Sequence, residues 1–414
     1  MSDVFRFGLG RFALLGAGLM ALFAFEHGER VIAGGPVEAP GDSYRVLAPI
    51  ESGNLLLFPV VRNGKGSGTT PFLTLDEGIK SGRVEVTEAG KVSGLVRPRT
   101  APPRLNDGVA RSYQPPNQAY RGDQVNTLVL VNNSDKPLLL LAGEIVTGGK
   151  QDRVIAKDRI VPAGSDPIDL GVFCIEPGRW TQDTATFGAS AKSPMSSFMV
   201  QPTIREKAMA AKDQQQVWNS VNGAISQMAV AAAPPIASGG PQLHSNRSEG
   251  DLGTTSYARA MQDSSVSAKV DEAAAPVMKS REQVLARLRE EHAIGVVVAV
   301  RGEIVWADLF VDTDLLARYW TKLVRSYAAE SLLEGDTHPA PSVTDAQHFL
   351  DAPAGGTETS EGDLGIYRYR ELHSDRTETF VLESLLPGTG YDVHISKMKL
   401  RGTVRRVATP QIYR

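Results

Sequence analysis

Glu144, Lys150, Gln151, Arg153, Glu176, Arg179 and Trp180 all fall within residues 138–180, where charged and amide side chains separate apolar runs short enough to be strands. Glu144 and Glu176 each end such a run, and a carboxylate partly withdrawn from water can serve as a general acid or base. The same two groups also suit a plainer role, pairing with Arg153 and Arg179 to finish a sheet edge. Lys150, Gln151 and Arg153 follow the pair Gly148-Gly149, and consecutive backbone amides in such a turn can form an anion-binding nest. Arg179 offers a guanidinium fork for a phosphate or carboxylate and Trp180 an indole face for a ring; alternatively Trp180 fills the core with Arg179 lying over it. The expectation is a small anionic ligand held by Lys150, Gln151, Arg153, Arg179 and Trp180, with Glu144 and Glu176 as the catalytic pair of any turnover. If they face one cleft, they would suit a hydrolase acting on a glycosidic or phosphate bond.

Other chemistries find less support. GEIVTGGK, residues 143–150, approximates a phosphate-binding P-loop, but Gln151 replaces the hydroxyl residue that would hold magnesium and no helix start is expected there. Without the helix amides and dipole a nucleotide triphosphatase is excluded. His27, His244, His292, His338, His348, His373 and His394 are scattered without metal-ligand spacing, so no metal is expected. Strand pairing could still bring His373 and Asp375 to His394. No G-x-S-x-G elbow occurs. Cys174 is the only cysteine, which forbids an intramolecular disulfide. Within GVFCIE it reads as a buried strand residue, and no nearby histidine supplies the base a thiol nucleophile needs. Nothing calls for a cofactor.

Short β-rich segments at 44–50 and 54–61, joined through Ser52-Gly53-Asn54, precede a short helix over 73–79 and an alternating strand at 84–90 with Glu88 on its polar side. Residues 97–123 form a long irregular connection. TLVLVNN, the turn 134–137 and LLLLAGEIV read as a hairpin, and 152–176 adds further short strands, giving a sandwich or barrel-like unit. Residues 204–228 have helix propensity, with Met209, Val217, Ile225 and Met228 as an apolar stripe. Val284, Leu285 and Leu288 share one face of a second helix. A hairpin then turns at Arg301-Gly302, and Asp312 caps a helix carrying Leu316, Tyr319, Trp320, Leu323 and Tyr327. Residues 334–363 read as a polar linker before two more strands and a tail that finishes a sheet.

The fold class is therefore α+β: a β-rich sandwich or barrel-like N-terminal part, then helices, then a smaller strand-hairpin and helix C-terminal part. The expected divisions are a β-rich domain over 44–228, a flexible insertion over 229–253 and an α+β part over 254–414, packed with the first as one domain or separate. With 44 basic against 47 acidic residues and no basic block, nucleic-acid binding is excluded. Arg6 and Arg11 precede an apolar run at 12–25 too short for a comfortable span, so residues 1–33 read as a secretory signal or retained anchor. Export, with membrane contact only through that segment, is the expected location.

The words GGKQDRV and CIEPGRW, with Arg205 and QQQVW at 214–218, resemble the family associated with ADP-ribosylglycohydrolases and rhodanese-phosphatases, from about Tyr44 onward. That resemblance implies a neighbourhood of NAD-derived ADP-ribose chemistry and no established reaction. A non-enzymatic envelope protein that docks a partner is the alternative.

Overall fold

The computed structural model describes residues 44–63, 72–88, 127–149, 151–178, 186–187, 198–233, 252–279, 281–354, 356–389 and 391–400. It is α+β. Strands β1 (Tyr44–Val46), β2 (Ile50–Ser52) and β3 (Leu55–Arg62) open the chain. After β4 (Leu73–Thr74), helix α1 (Leu75–Lys80) starts at a capping box in which Thr74 and Glu77 satisfy each other's backbone amides. The β-rich segment continues through β5 (Val84–Glu88), β6 (Thr127–Asn132), β7 (Leu138–Leu140), β8 (Ile145–Val146), β9 (Arg153–Ile155), β10 (Arg159–Val161), β11 (Ile168–Cys174) and β12 (Thr186–Phe187). Helices α2 (Pro202–Glu206), α3 (Gln214–Ala232), α4 (Tyr257–Gln262), α5 (Ser264–Lys279) and α6 (Arg281–Glu290) follow. The hairpin β13 (Ala293–Val300) and β14 (Glu303–Phe310) leads into α7 (Thr313–Ser331) and α8 (Val343–Asp351). The meander β15 (Thr357–Asp363), β16 (Tyr367–His373), β17 (Thr377–Ser384) and β18 (Asp392–Lys399) ends the described chain.

A nine-stranded sheet, order β1-β3-β13-β14-β18-β17-β16-β15 with β2 on β3, joins the first strands to the last ones. The remaining strands form a six-stranded sheet, β12-β5-β6-β11-β9-β8, and a three-stranded one, β10-β7-β4. The side chains of β13 are buried on both faces, as its AIGVVVAV composition requires of a central strand. One face packs on α7, whose Leu316, Tyr319, Trp320, Leu323 and Tyr327 are all buried, and on apolar groups of the β-rich segment. The opposite face is covered by α8 through Ala346 and Leu350.

Several local expectations hold: the turn at Gly53, the hairpin at Arg301-Gly302 with φ of 52° and 79°, and the Asp312 cap that accepts from the Leu315 amide. Others do not. β6 and β7 make no hairpin, because β6 pairs with β5 and β11 while β7 pairs with β10 and β4. The buried Asn132 side chain diverts the chain: its Nδ2 donates to the carbonyls of Lys136 (2.9 Å), Val161 (3.3 Å) and Pro162 (2.9 Å), tying this turn to the end of β10. Glu88 is buried rather than on a polar face. The helix expected over 204–228 is interrupted: a π-helical turn, Lys207–Ala211, ends at Lys212 in the left-handed conformation (φ 54°), and α3 restarts from the Asp213 cap. The stretch 334–363 is no linker, since a Ser342–Asp345 capping box starts α8 and β15 edges the large sheet. The tail does join that sheet as β18, but inside it, between β14 and β17. The 97–123 connection and residues 234–251 of the expected 229–253 insertion lie outside the described residues, and the insertion does not begin at 229, because α3 runs on to Ala232.

Candidate functional site

β9 and β11 pair so that Arg153 lies opposite Cys174, which brings Gln151, Asp152 and Arg153 against the CIEPG strand end. The Asp152 amide donates to Glu176 Oε2 (3.2 Å), the Ile175 amide to the Asp152 carbonyl (3.1 Å), and Gln151 Nε2 to the Glu176 carbonyl (3.1 Å). Gln214, at the start of α3, clamps the Cys174 backbone with two 2.9 Å hydrogen bonds. Gln151, Asp152, Arg153 and Glu176 are all buried, and burial pushes the Cys174 thiol up to about 11, leaving it unreactive at neutral pH. Gln151 Oε1 has no hydrogen-bond partner among the described residues. Such an orphaned buried acceptor forfeits ~1–3 kcal/mol, so it calls for a donor.

Lys150, Arg179 and Trp180 lie outside the described residues. Gly148 and Gly149 do have positive φ (119° and 54°), but the Gly148 amide already donates to Asp152 Oδ1 (3.2 Å), whose Oδ2 accepts from Ser256 Oγ (2.8 Å). Glu144 belongs to a different group. It is fully buried, its Oε1 lies 2.6 Å from Lys322 Nζ of α7, and its Oε2 accepts from the Leu141 amide. Lys322 also meets Asp76 Oδ2 of α1 at 2.8 Å. Burial raises the Glu144 pKa against the opposing pull of Lys322. Its ion-pair partner is thus a lysine from a distant helix, and neither Glu144 nor Glu176 faces solvent.

A second cluster, which sequence reasoning did not assemble, sits on the inner face of the large sheet. Asp308 of β14 accepts a bidentate pair from Arg205 of α2 (2.8 and 3.0 Å), a hydrogen bond from Ser396 Oγ of β18 (2.7 Å) and another from the Tyr327 hydroxyl of α7. The Arg205 guanidinium lies 4.3 Å over the Trp306 ring. His394 of β18 places Nδ1 2.6 Å from Asp158 Oδ2, and its Nε2 lies 3.3 Å from Asp308 Oδ1, a charge contact rather than an aligned hydrogen bond. Burial opposes charge on His394, yet the carboxylates of Asp158 and Asp308 outweigh it and raise the imidazolium to about 9. Burial likewise opposes charge on Asp308, and Arg205 and His394 overcome it, holding the carboxyl well below its usual range. The one available signal was a charged residue, Asp308, inside the otherwise apolar strand core VWADLF. Strand pairing does not bring His373 to His394: β17 lies between their strands, His373 stands opposite Glu378, and His394 opposite Leu382.

Gly143 (φ 95°) lets the backbone pass against this arginine, since a Cβ there would lie 2.7 Å from Arg205 Cγ. Gly143→Ala should lower stability by ~2–3 kcal/mol more than Gly82→Ala (φ 67°), where nothing lies within 4 Å, when both are compared by urea unfolding. Equal losses would mean that conformation alone matters at position 143.

A family model described as the ARG and Rhodanese-Phosphatase-superfamily-associated Protein domain matches residues 43–398. No curated protein and no solved structure matches the chain.

Proposed function

Since this chain belongs to the ARG and Rhodanese-Phosphatase-superfamily-associated Protein domain family, we propose that it binds a small anionic, hydroxyl-bearing ligand of the NAD or ADP-ribose class at the junction of residues 148–153 and 174–178. The observation that carries this reading is the convergence of the two segments around Gln151, whose buried Oε1 has no partner among the described residues. An amide oxygen accepts from a ligand hydroxyl or N–H, while Arg153, with Lys150, Arg179 and Trp180 as further candidates, supplies charge and a stacking face. Glu176 is the nearer acid/base candidate, as it shares hydrogen bonds with this junction and Glu144 does not. We place the chain in an exported setting, with residues 1–33 as a cleaved signal or anchor. Among the described residues no helix is long and apolar enough to cross a membrane.

The test is thermal unfolding of the whole chain with ADP-ribose and with NAD. A ligand present at 100 times its Kd stabilises the folded state by ~2.7 kcal/mol and raises Tm. Gln151→Ala should abolish that rise while its own unfolding free energy drops by only ~1 kcal/mol for the lost Nε2 hydrogen bond. A second reading, a non-enzymatic envelope protein that docks a partner, draws on the internal use of polar groups by which Asp152 already occupies the Gly148 amide. Unchanged Tm with both ligands would favour it.

A further inference from the structure

At the β15–β16 edge of the large sheet lies a third polar group, separate from the Gln151 junction and bordering the Asp308–His394 cluster. Strand register puts Tyr369, Glu371 and His373 on one face of β16, with Glu361 opposite Tyr369 and Glu378 opposite His373. The fully buried Glu378 hydrogen-bonds His373 Nδ1, and His373 Nε2 lies 4.0 Å from Glu371 Oε2. Lys157 Nζ is 2.7 Å from Glu361 Oε1 and 3.5 Å from Glu371 Oε1, while Lys212 Nζ pairs with Glu371 Oε2. Lys212 reaches this position from the left-handed residue that ends the π-helical turn, and both features recur at functional sites because each carries a conformational cost. An independent observation points to an occupant. The Tyr369 hydroxyl is buried, has no partner among the described residues, and is kept protonated by burial and by the charges of Asp158, Glu371 and Glu361.

We propose that this group is a binding site for a neutral polyhydroxylated ligand, a sugar, held by Glu371, Lys157, Lys212, His373 and the Tyr369 hydroxyl. Glu361 and Glu371 pair with Lys157 and Lys212, and Glu378 hydrogen-bonds His373, so each charged group already has a partner. A phosphate or ammonium would bring an unpaired charge beside the nearly buried Glu371, and desolvated unpaired charge is strongly unfavourable. Sugar hydroxyls both donate and accept, which suits adjacent carboxylate, ammonium and phenol groups. With His373 Nδ1 engaged by Glu378, its Nε2 is the ring nitrogen that can meet a sugar hydroxyl.

The test is NMR of the His373 ring in the full-length chain, assigned by loss of its signals in His373→Gln, during titration with D-ribose, D-glucose and ribose 5-phosphate. The expected result is a saturable shift with at least one neutral sugar, weakened about tenfold in Glu371→Gln and in Lys212→Gln by loss of one hydrogen bond each. Lys212 is partly exposed, so that variant keeps the test valid should Glu371→Gln fail to fold. No saturable shift with either neutral sugar overturns the proposal, and so does tighter binding of ribose 5-phosphate than of ribose. The site is separate from Gln151, and Lys212→Gln should leave the response to ADP-ribose unchanged.

Discussion

Asp308→Ala is expected to cost ~3–5 kcal/mol, the penalty for removing one partner of a buried ion pair, and so to consume much of the ~5–15 kcal/mol that separates a folded domain from its unfolded chain. The substitution strands the Arg205 guanidinium in a site with no solvent contact and removes the acceptor for Ser396 Oγ and the Tyr327 hydroxyl. Equilibrium urea unfolding of the variant measures the loss. The double variant Arg205→Met with Asp308→Leu should recover much of it, because no unpaired charge is left behind. A single-variant loss below ~1 kcal/mol would mean that water reaches the pair and screens it as at a surface.

The second large effect depends on pH. The folded-state pKa of His394, about 9, lies above the unfolded value of about 6.5, so the folded chain holds this proton more tightly. Its contribution, ~3 kcal/mol, is fully present below pH 6.5 and disappears as pH rises through 9. Lys397 opposes this above pH 8. Burial lowers its pKa to about 8 from 10.5, so the unfolded chain binds the extra proton and stability rises with pH over that range. The difference between wild type and His394→Gln therefore isolates the histidine: wild type should lose ~3 kcal/mol more between pH 6 and pH 9.5. Parallel profiles for the two proteins would show that Asp158 and Asp308 do not hold the imidazole charged.

Local chemistry was legible in the sequence wherever neighbours along the chain decide the outcome. The Asp312 cap, the Arg301-Gly302 turn, the apolar stripe of α7 and the burial of Cys174 all follow from residues within a few positions of one another. The junction of the 148–153 turn with the 174–178 strand end was also legible as a single candidate region, because short strands in succession confine it. The family followed from the same two words. Tertiary structure alone decided which strands share a sheet, and it separated Glu144 from Glu176 by giving the former to Lys322. It alone assembled the inner cluster, in which Arg205 meets a residue 103 positions away and Asp158 one 236 positions away. Periodicity reports which face of an element avoids water, and says nothing about which charge on a remote element will offset the desolvation of a buried one. That choice is made only when the layers pack, since a buried ion's partner is selected by distance in space and not along the chain.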